Sequence, residues 1–331
     1  MEPLALFLAI LAAALAVPVP KLLHQARFRA RSPWAAMLLW QAIALAGGLS
    51  LIGAPLIFGL SPFGDSPLDA TITAVSLVTT EDLSALDEHN VHPVHLFALC
   101  LAVLLAGHLL LTLARTYLRV LSARRRHRQL VHLLSTPPES GADVRQLGPL
   151  TEAHIIEHDA PLAYCLPGRT HASSVTVLSR GLLEQLTREE LAAVVAHERT
   201  HLQQRHHLLT MAFEAWYRAL PWLPTTRYGR EAVLELTEML ADDGALREHT
   251  RDDLLRSLAL STPESSTESA SQSAPAETLA ATPGATGVLI TTARLQRLLV
   301  PRPGLSRSSL AGVVLLALGL LAVPTGLILL S

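Results

Sequence analysis

Cysteine is nearly absent from this chain: Cys100 and Cys165 are the two present, far apart and outside any metal-binding spacing. A disulfide framework and a cysteine-rich structural zinc site are thereby excluded. Charge is scarce as well, at 16% of residues, and it balances to −2, which does not point to a nucleic-acid partner. No glycine-rich phosphate loop and no internal repeat occurs, so nucleotide chemistry and repeat architectures drop out. Residues 61–93 contain no lysine or arginine. The first apolar stretch begins Met1-Glu2-Pro3, without a basic leader, and so reads as a retained anchor instead of a cleaved signal peptide.

What the chain has in quantity is long apolar sequence. Residues 4–19, 34–60, 94–121 and 310–330 are each long enough, or nearly so, to cross a bilayer. Basic residues gather beside them: Lys21, Arg27, Arg29 and Arg31 after the first, Arg115 to Arg128 at the end of the third, and Arg294, Arg297, Arg302 and Arg307 before the fourth. Asp65, Asp69, Glu81, Asp82, Asp87 and Glu88 occupy the arginine-free loop between the second and third. Positive charge stays inside. Both termini are therefore expected outside and the large region before the fourth span in the cytoplasm, where unpaired cysteines remain reduced. The basic run at 124–128 fits topology and anionic-lipid contact, and His89, His92 and His95 fit a solvated loop.

One pentapeptide carries chemistry: His197-Glu198-Arg199-Thr200-His201. Residues 191–196 before it are apolar helix formers, and Thr187 with Glu190 makes a capping box that would start the helix. Helical residues four apart share a face, so both imidazoles can reach one metal ion. Glu198, beside the first ligand, can accept a proton from water and return it to a leaving amine. A catalytic zinc needs a third protein ligand and an open position, and Glu238 is the candidate. Asp242, one helical turn later, can hydrogen-bond the free nitrogen of a ligating histidine. Glu235 and Asp243 read as solvated surface acids, and His206 and His207 as polar residues at a helix end.

Around these motifs the pattern is mixed. Residues 162–166 and 174–178 are strand-like, and either could offer an edge to a substrate backbone. Residues 208–223, with Trp216, Tyr217 and Trp222, suit either a membrane-docking segment or a buried core helix. Pro221, Pro224 and Gly229 are expected to break the chain so that Glu238 returns to the histidines. Residues 261–287 hold almost no large apolar side chain and are expected to be a disordered linker.

The pair His197-Glu198-Arg199-Thr200-His201 and Glu238-Met239-Leu240-Ala241-Asp242 resembles the H-E-x-x-H and E-x-x-A-D motifs of integral-membrane gluzincin peptidases. Within that group, Ala163-Tyr164-Cys165-Leu166-Pro167-Gly168, residues 175–181 and residues 201–207 look most like BlaR/MecR-type antirepressor peptidases, over about residues 150–250. HtpX-like quality-control proteases and CAAX-prenyl proteases are similar in the zinc motif. The better-known receptors of the antirepressor type carry an extracellular penicillin-binding domain after their last span. This sequence stops at Ser331, so drug sensing is not expected to carry over. The resemblance implies Zn2+ on His197, His201 and Glu238, Glu198 as catalytic base and a protein substrate, a BlaI/MecI-like repressor. A quality-control peptidase and a non-catalytic sensor are the alternatives. The expected fold is mainly α: a four-span integral membrane protein with a cytoplasmic α+β zincin-like domain. Its parts are the membrane region 1–128, the peptidase domain 129–258, a linker and basic segment 259–308, and the last span 309–331.

Overall fold

In an apolar stretch long enough to span lipid, a helix is favoured because it satisfies its own backbone groups. The computed structural model describes residues 1–80, 91–136, 153–166, 174–261 and 292–330, and it is mainly helical with one small sheet. In chain order the first helices are α1 (Glu2–Ala16), α2 (Pro18–Gln25), α3 (Pro33–Leu60), α4 (Pro67–Thr80) and α5 (Pro93–Leu134). Strands β1 (Ser135–Thr136), β2 (Ala153–Ile156), β3 (Ala163–Leu166) and β4 (Val175–Ser179) follow. Then come α6 (Arg180–Gln185), α7 (Arg188–Gln203), α8 (His206–Ala219), α9 (Pro224–Ala245), α10 (Arg251–Ser261), α11 (Thr292–Leu299) and α12 (Arg307–Leu330). The expected features at Glu81, Asp82, Asp87, Glu88, His89, Pro167 and Gly168, and the linker from residue 262, lie outside the described residues.

Two compact units emerge. The first comprises Met1–Ala114, Ala212–Val233 and Gly304–Ser331. Ala5 and Leu8 of α1 bury against Ala54 and Ile57 of α3, with Ile328 of α12 packed alongside. Four helical runs, Glu2–Gln25, Pro33–Phe63, Pro93–Val131 and Arg307–Ile328, are long and apolar enough to cross a membrane. Phe7, Ile10, Phe97, Leu104 and Leu316 remain exposed on them, a surface that suits hydrocarbon. Part of the arginine-free loop is helical: Ser66 accepts a hydrogen bond from the Asp69 amide at the start of α4, and Ala70 buries against Leu60 and Phe63. His95 packs its ring on Phe58 at 4.9 Å, which makes it part of the helix packing and not of a solvated loop.

In the same unit Ala219, Leu220 and Leu223 bury against Ala16, Leu51, Leu105 and Leu109, while Trp222 among them is 73% exposed, so the end of the 208–223 segment pairs a core face with an exposed aromatic. Gly229 does not break the chain. It lies inside α9, where a Cβ would come within 2.9 Å of the Phe213 ring, so glycine here permits close approach. Pro224 opens α9 at a position where a missing N–H is tolerated.

The second unit comprises Arg115–Met211 and Leu234–Pro303. Its sheet runs β1-β2-β4-β3, with β2 and β4 parallel and the outer pairings antiparallel. Leu178, Leu182, Leu191 and Val195 join Ile155 in the core between this sheet and helices α6 and α7. Helix α7 starts as the capping box predicts: Thr187 Oγ1 accepts from the Glu190 amide, and the Glu190 carboxylate accepts from the Thr187 amide. Ala245, Leu254, Leu258 and Leu298 form a second core, against which Ala196 of α7 packs. Helices α7 and α9 meet at Thr200 and Gly244, where a Cβ on Gly244 would collide with the Thr200 side chain. Gly244→Ala is therefore expected to destabilise the chain by about 1–3 kcal/mol despite the better helix propensity of alanine. Denaturant midpoints of the detergent-solubilised full chain measure this, and an unchanged or raised midpoint would contradict the contact.

Candidate functional site

Helix α7 presents His197 and His201 one turn apart, and α9 presents Glu238 and Asp242 one turn apart. The two Nε2 atoms lie 3.2 Å apart. Glu238 closes the triangle, with Oε2 3.5 Å from His197 Nε2 and Oε1 3.4 Å from His201 Nε2. A tetrahedral zinc with nitrogen and oxygen ligands holds its donor atoms about 3.3 Å from one another. The three donors thus fit zinc in type and in spacing, and they form the one such group among the described residues.

The outer nitrogens of both rings are also engaged. His197 Nδ1 lies 3.0 Å from Asp242 Oδ1, so Nδ1–H donates to the carboxylate and Nε2 is the nitrogen turned towards Glu238 and His201. His201 is oriented by a different route. Gln204 Oε1 lies 3.0 Å from His206 Nε2, and His206 Nδ1 lies 2.9 Å from His201 Nδ1. With Nε2–H of His206 donating to Gln204, its Nδ1 accepts from Nδ1–H of His201, which leaves His201 Nε2 free to ligate. The chain folds back for this contact at Arg205, whose φ of 51° places it in the left-handed region.

Burial and charge set the protonation of the group. Burial pushes Glu198 up to about 7, with the Glu238 charge adding to it, while His197, Arg294 and the Cys165 backbone amide pull the other way. A carboxyl near neutrality is suited to proton transfer. Burial lowers His201 to about 3 and His206 to about 4, so both stay neutral as their roles require. For His197 burial opposes charge, yet the hydrogen bonds to Asp242 and Glu238 prevail and raise it to about 9. Burial also opposes ionisation of Asp242, but the hydrogen bonds from His197 and Arg294 hold it at about 2. Glu238 is lowered likewise, burial being outweighed by the His197 hydrogen bond together with neighbouring positive charge, that of Arg294 included. Cys165, with its thiol raised to about 12 by burial, is a poor nucleophile.

The structure brings together all five residues singled out in the sequence, His197, Glu198, His201, Glu238 and Asp242. It adds two that were not. His206, read as an ordinary helix-end residue, turns back onto His201; its place in the 201–207 run was the available signal. Arg294, read as a topological arginine, is buried in the site, with Nε and Nη2 each 2.7 Å from Asp242 oxygens and Nη1 3.1 Å from Glu238. No local spacing in the sequence relates it to α9. Asp243, read as a solvated acid, pairs with Arg297.

Comparison with known proteins bears on the same segment. The profile of peptidase family M48, whose members are zinc-dependent, matches residues 122–283. The protein called protease HtpX homolog in Desulfatibacillum aliphaticivorans is 39% identical over 61 residues, 18% of this chain and 19% of that protein. The protease HtpX homolog of Salinibacter ruber is 37% identical over 60 residues, 18% of this chain and 21% of that protein. The chain therefore spans about a fifth of the length of these curated relatives. No solved structure matches.

His206→Ala is expected to lower zinc affinity roughly 10- to 100-fold, as removal of a ligand's hydrogen-bond partner does; competition with a chromogenic chelator measures it. His207 yields a pH prediction. Burial first, then the charges of Arg124 and Arg205, lower it from 6.5 to about 4. The folded chain thus resists a proton that the unfolded chain accepts, and stability is lost as pH falls from 6.5 towards 4. His207→Asn should flatten that loss, read as the difference in unfolding midpoint between variant and native chain across the same interval.

Proposed function

We propose that this chain is a membrane-anchored, zinc-dependent endopeptidase. The observation that carries this reading is the closure of His197, His201 and Glu238 to donor separations of 3.2–3.5 Å beside a carboxyl, Glu198, raised to about 7. When bound, zinc supplies Lewis acidity, which acidifies water and polarises a carbonyl. Glu198 accepts the proton of the attacking water at its carboxylate and passes it to the nitrogen of the leaving amine. Asp242 and His206 keep the histidine rings in register by holding their Nδ1 hydrogens.

Of strands β3 and β4, one has an edge that an extended substrate can join. Among the described residues β4 is paired on both sides, by β2 and β3, whereas β3 pairs with β4 alone. The Cys165 amide of β3 hydrogen-bonds Glu198, so a peptide added along this edge would run beside the base. The arginine distribution favours a cytoplasmic site with both termini outside. The resemblance to BlaR/MecR-type peptidases favours a cytoplasmic BlaI/MecI-like repressor as substrate. The local identity to HtpX homologs favours a second reading, turnover of damaged membrane proteins.

Glu198→Gln is expected to retain zinc while cleaving casein or itself roughly 10²- to 10⁴-fold more slowly. Zinc analysis and single-turnover cleavage of the purified chain measure both. A native chain that holds no zinc and cleaves nothing would end the proposal. Crosslinked partners of the Glu198→Gln chain separate the two substrate readings: one DNA-binding protein supports the first, and many unfolded membrane proteins support the second.

A further inference from the structure

We infer that Arg294 is a positioning residue of the metal site, a single guanidinium that fixes the ligand Glu238 and the ligand-orienting Asp242 together; this rests on the zinc reading above. Arg294 lies beyond the family-matched segment, on α11, which Leu298 anchors in the core beside α10. It is 1% exposed, and an arginine is buried so completely only when its donors are matched. Nε and Nη2 form a two-pronged contact with the two oxygens of Asp242, and Nη1 reaches Glu238 Oε2.

The geometry distinguishes support from obstruction. Nη2 lies 3.5 Å from His197 Nδ1, the ring edge that faces Asp242 and not the Nε2 edge that faces the other donors. The guanidinium therefore meets His197 at the ring edge away from the other donors, and it meets Glu238 by donating to Oε2. Charge leads to the same role. Glu238 and Asp242 are both held ionised in one enclosed cluster, and Arg294 sets its positive charge directly against the pair. A planar fork can hold two carboxylates in fixed directions, which the point charge of a lysine cannot.

The test uses the full chain in detergent as native, Arg294→Met, Arg294→Lys, Asp242→Asn and the Asp242→Asn/Arg294→Met double variant. Zinc dissociation constants by chelator competition are read next to thermal unfolding of the metal-free proteins. Arg294→Met should weaken zinc binding tenfold or more, and Arg294→Lys should recover unfolding temperature without recovering the affinity. Its effect should shrink in the Asp242→Asn background, because the two residues act through one contact. Native-like zinc affinity in Arg294→Met would overturn the assignment, as would full rescue of affinity by lysine. If Arg294→Met does not fold, the lysine variant decides by the same criterion. A native chain without zinc would instead remove the proposed function itself, a distinct result.

Discussion

Close packing of α7 on α9 is the constraint on which the site depends. Each helix carries two chemical groups one turn apart, and neither pair does anything alone. Their meeting depends on Thr200 lying against Gly244, a contact that leaves no room for a Cβ. Because helix pitch is fixed, bringing these two positions together also sets how far Glu238 and Asp242 stand from His197 and His201. The second core, around Leu254 and Leu298, then holds α10 and α11 beside the pair.

Electrostatics follow from that packing. Enclosing acids and histidines at van der Waals distance strips them of water, which each resists in its charged form. The opposing shifts within the cluster are the outcome. Asp242 is held ionised by two donors, His201 and His206 are held neutral, and Glu198, with weaker compensation, settles near neutrality. A single environment thus sorts like groups into different roles.

What could be read in the sequence was what is local. The two histidines, the Glu238–Asp242 pair and the capping box all follow from helical periodicity, which is visible in a few residues. The apolar runs were legible because membrane length is a count of residues. Arg294 was not, since its partners lie on another helix and arginines before a span have a ready topological meaning. His206 depends on a left-handed turn at Arg205, a residue type that does not announce one. Gly229 misled because glycine marks both chain breaks and close helix contacts, and only the Phe213 ring decides which applies.

The state of Cys165 has a practical side. Its thiol is half-buried and stays protonated far above physiological pH, which makes it slow to react with alkylating reagents. The other cysteine, Cys100, sits in a helix apolar enough to lie in lipid, where a water-soluble reagent would not reach it. The unaltered chain is therefore close to a cysteine-silent background. Single cysteines introduced into the loops would be labelled against almost no native signal, and the side of the membrane each loop occupies could be mapped directly.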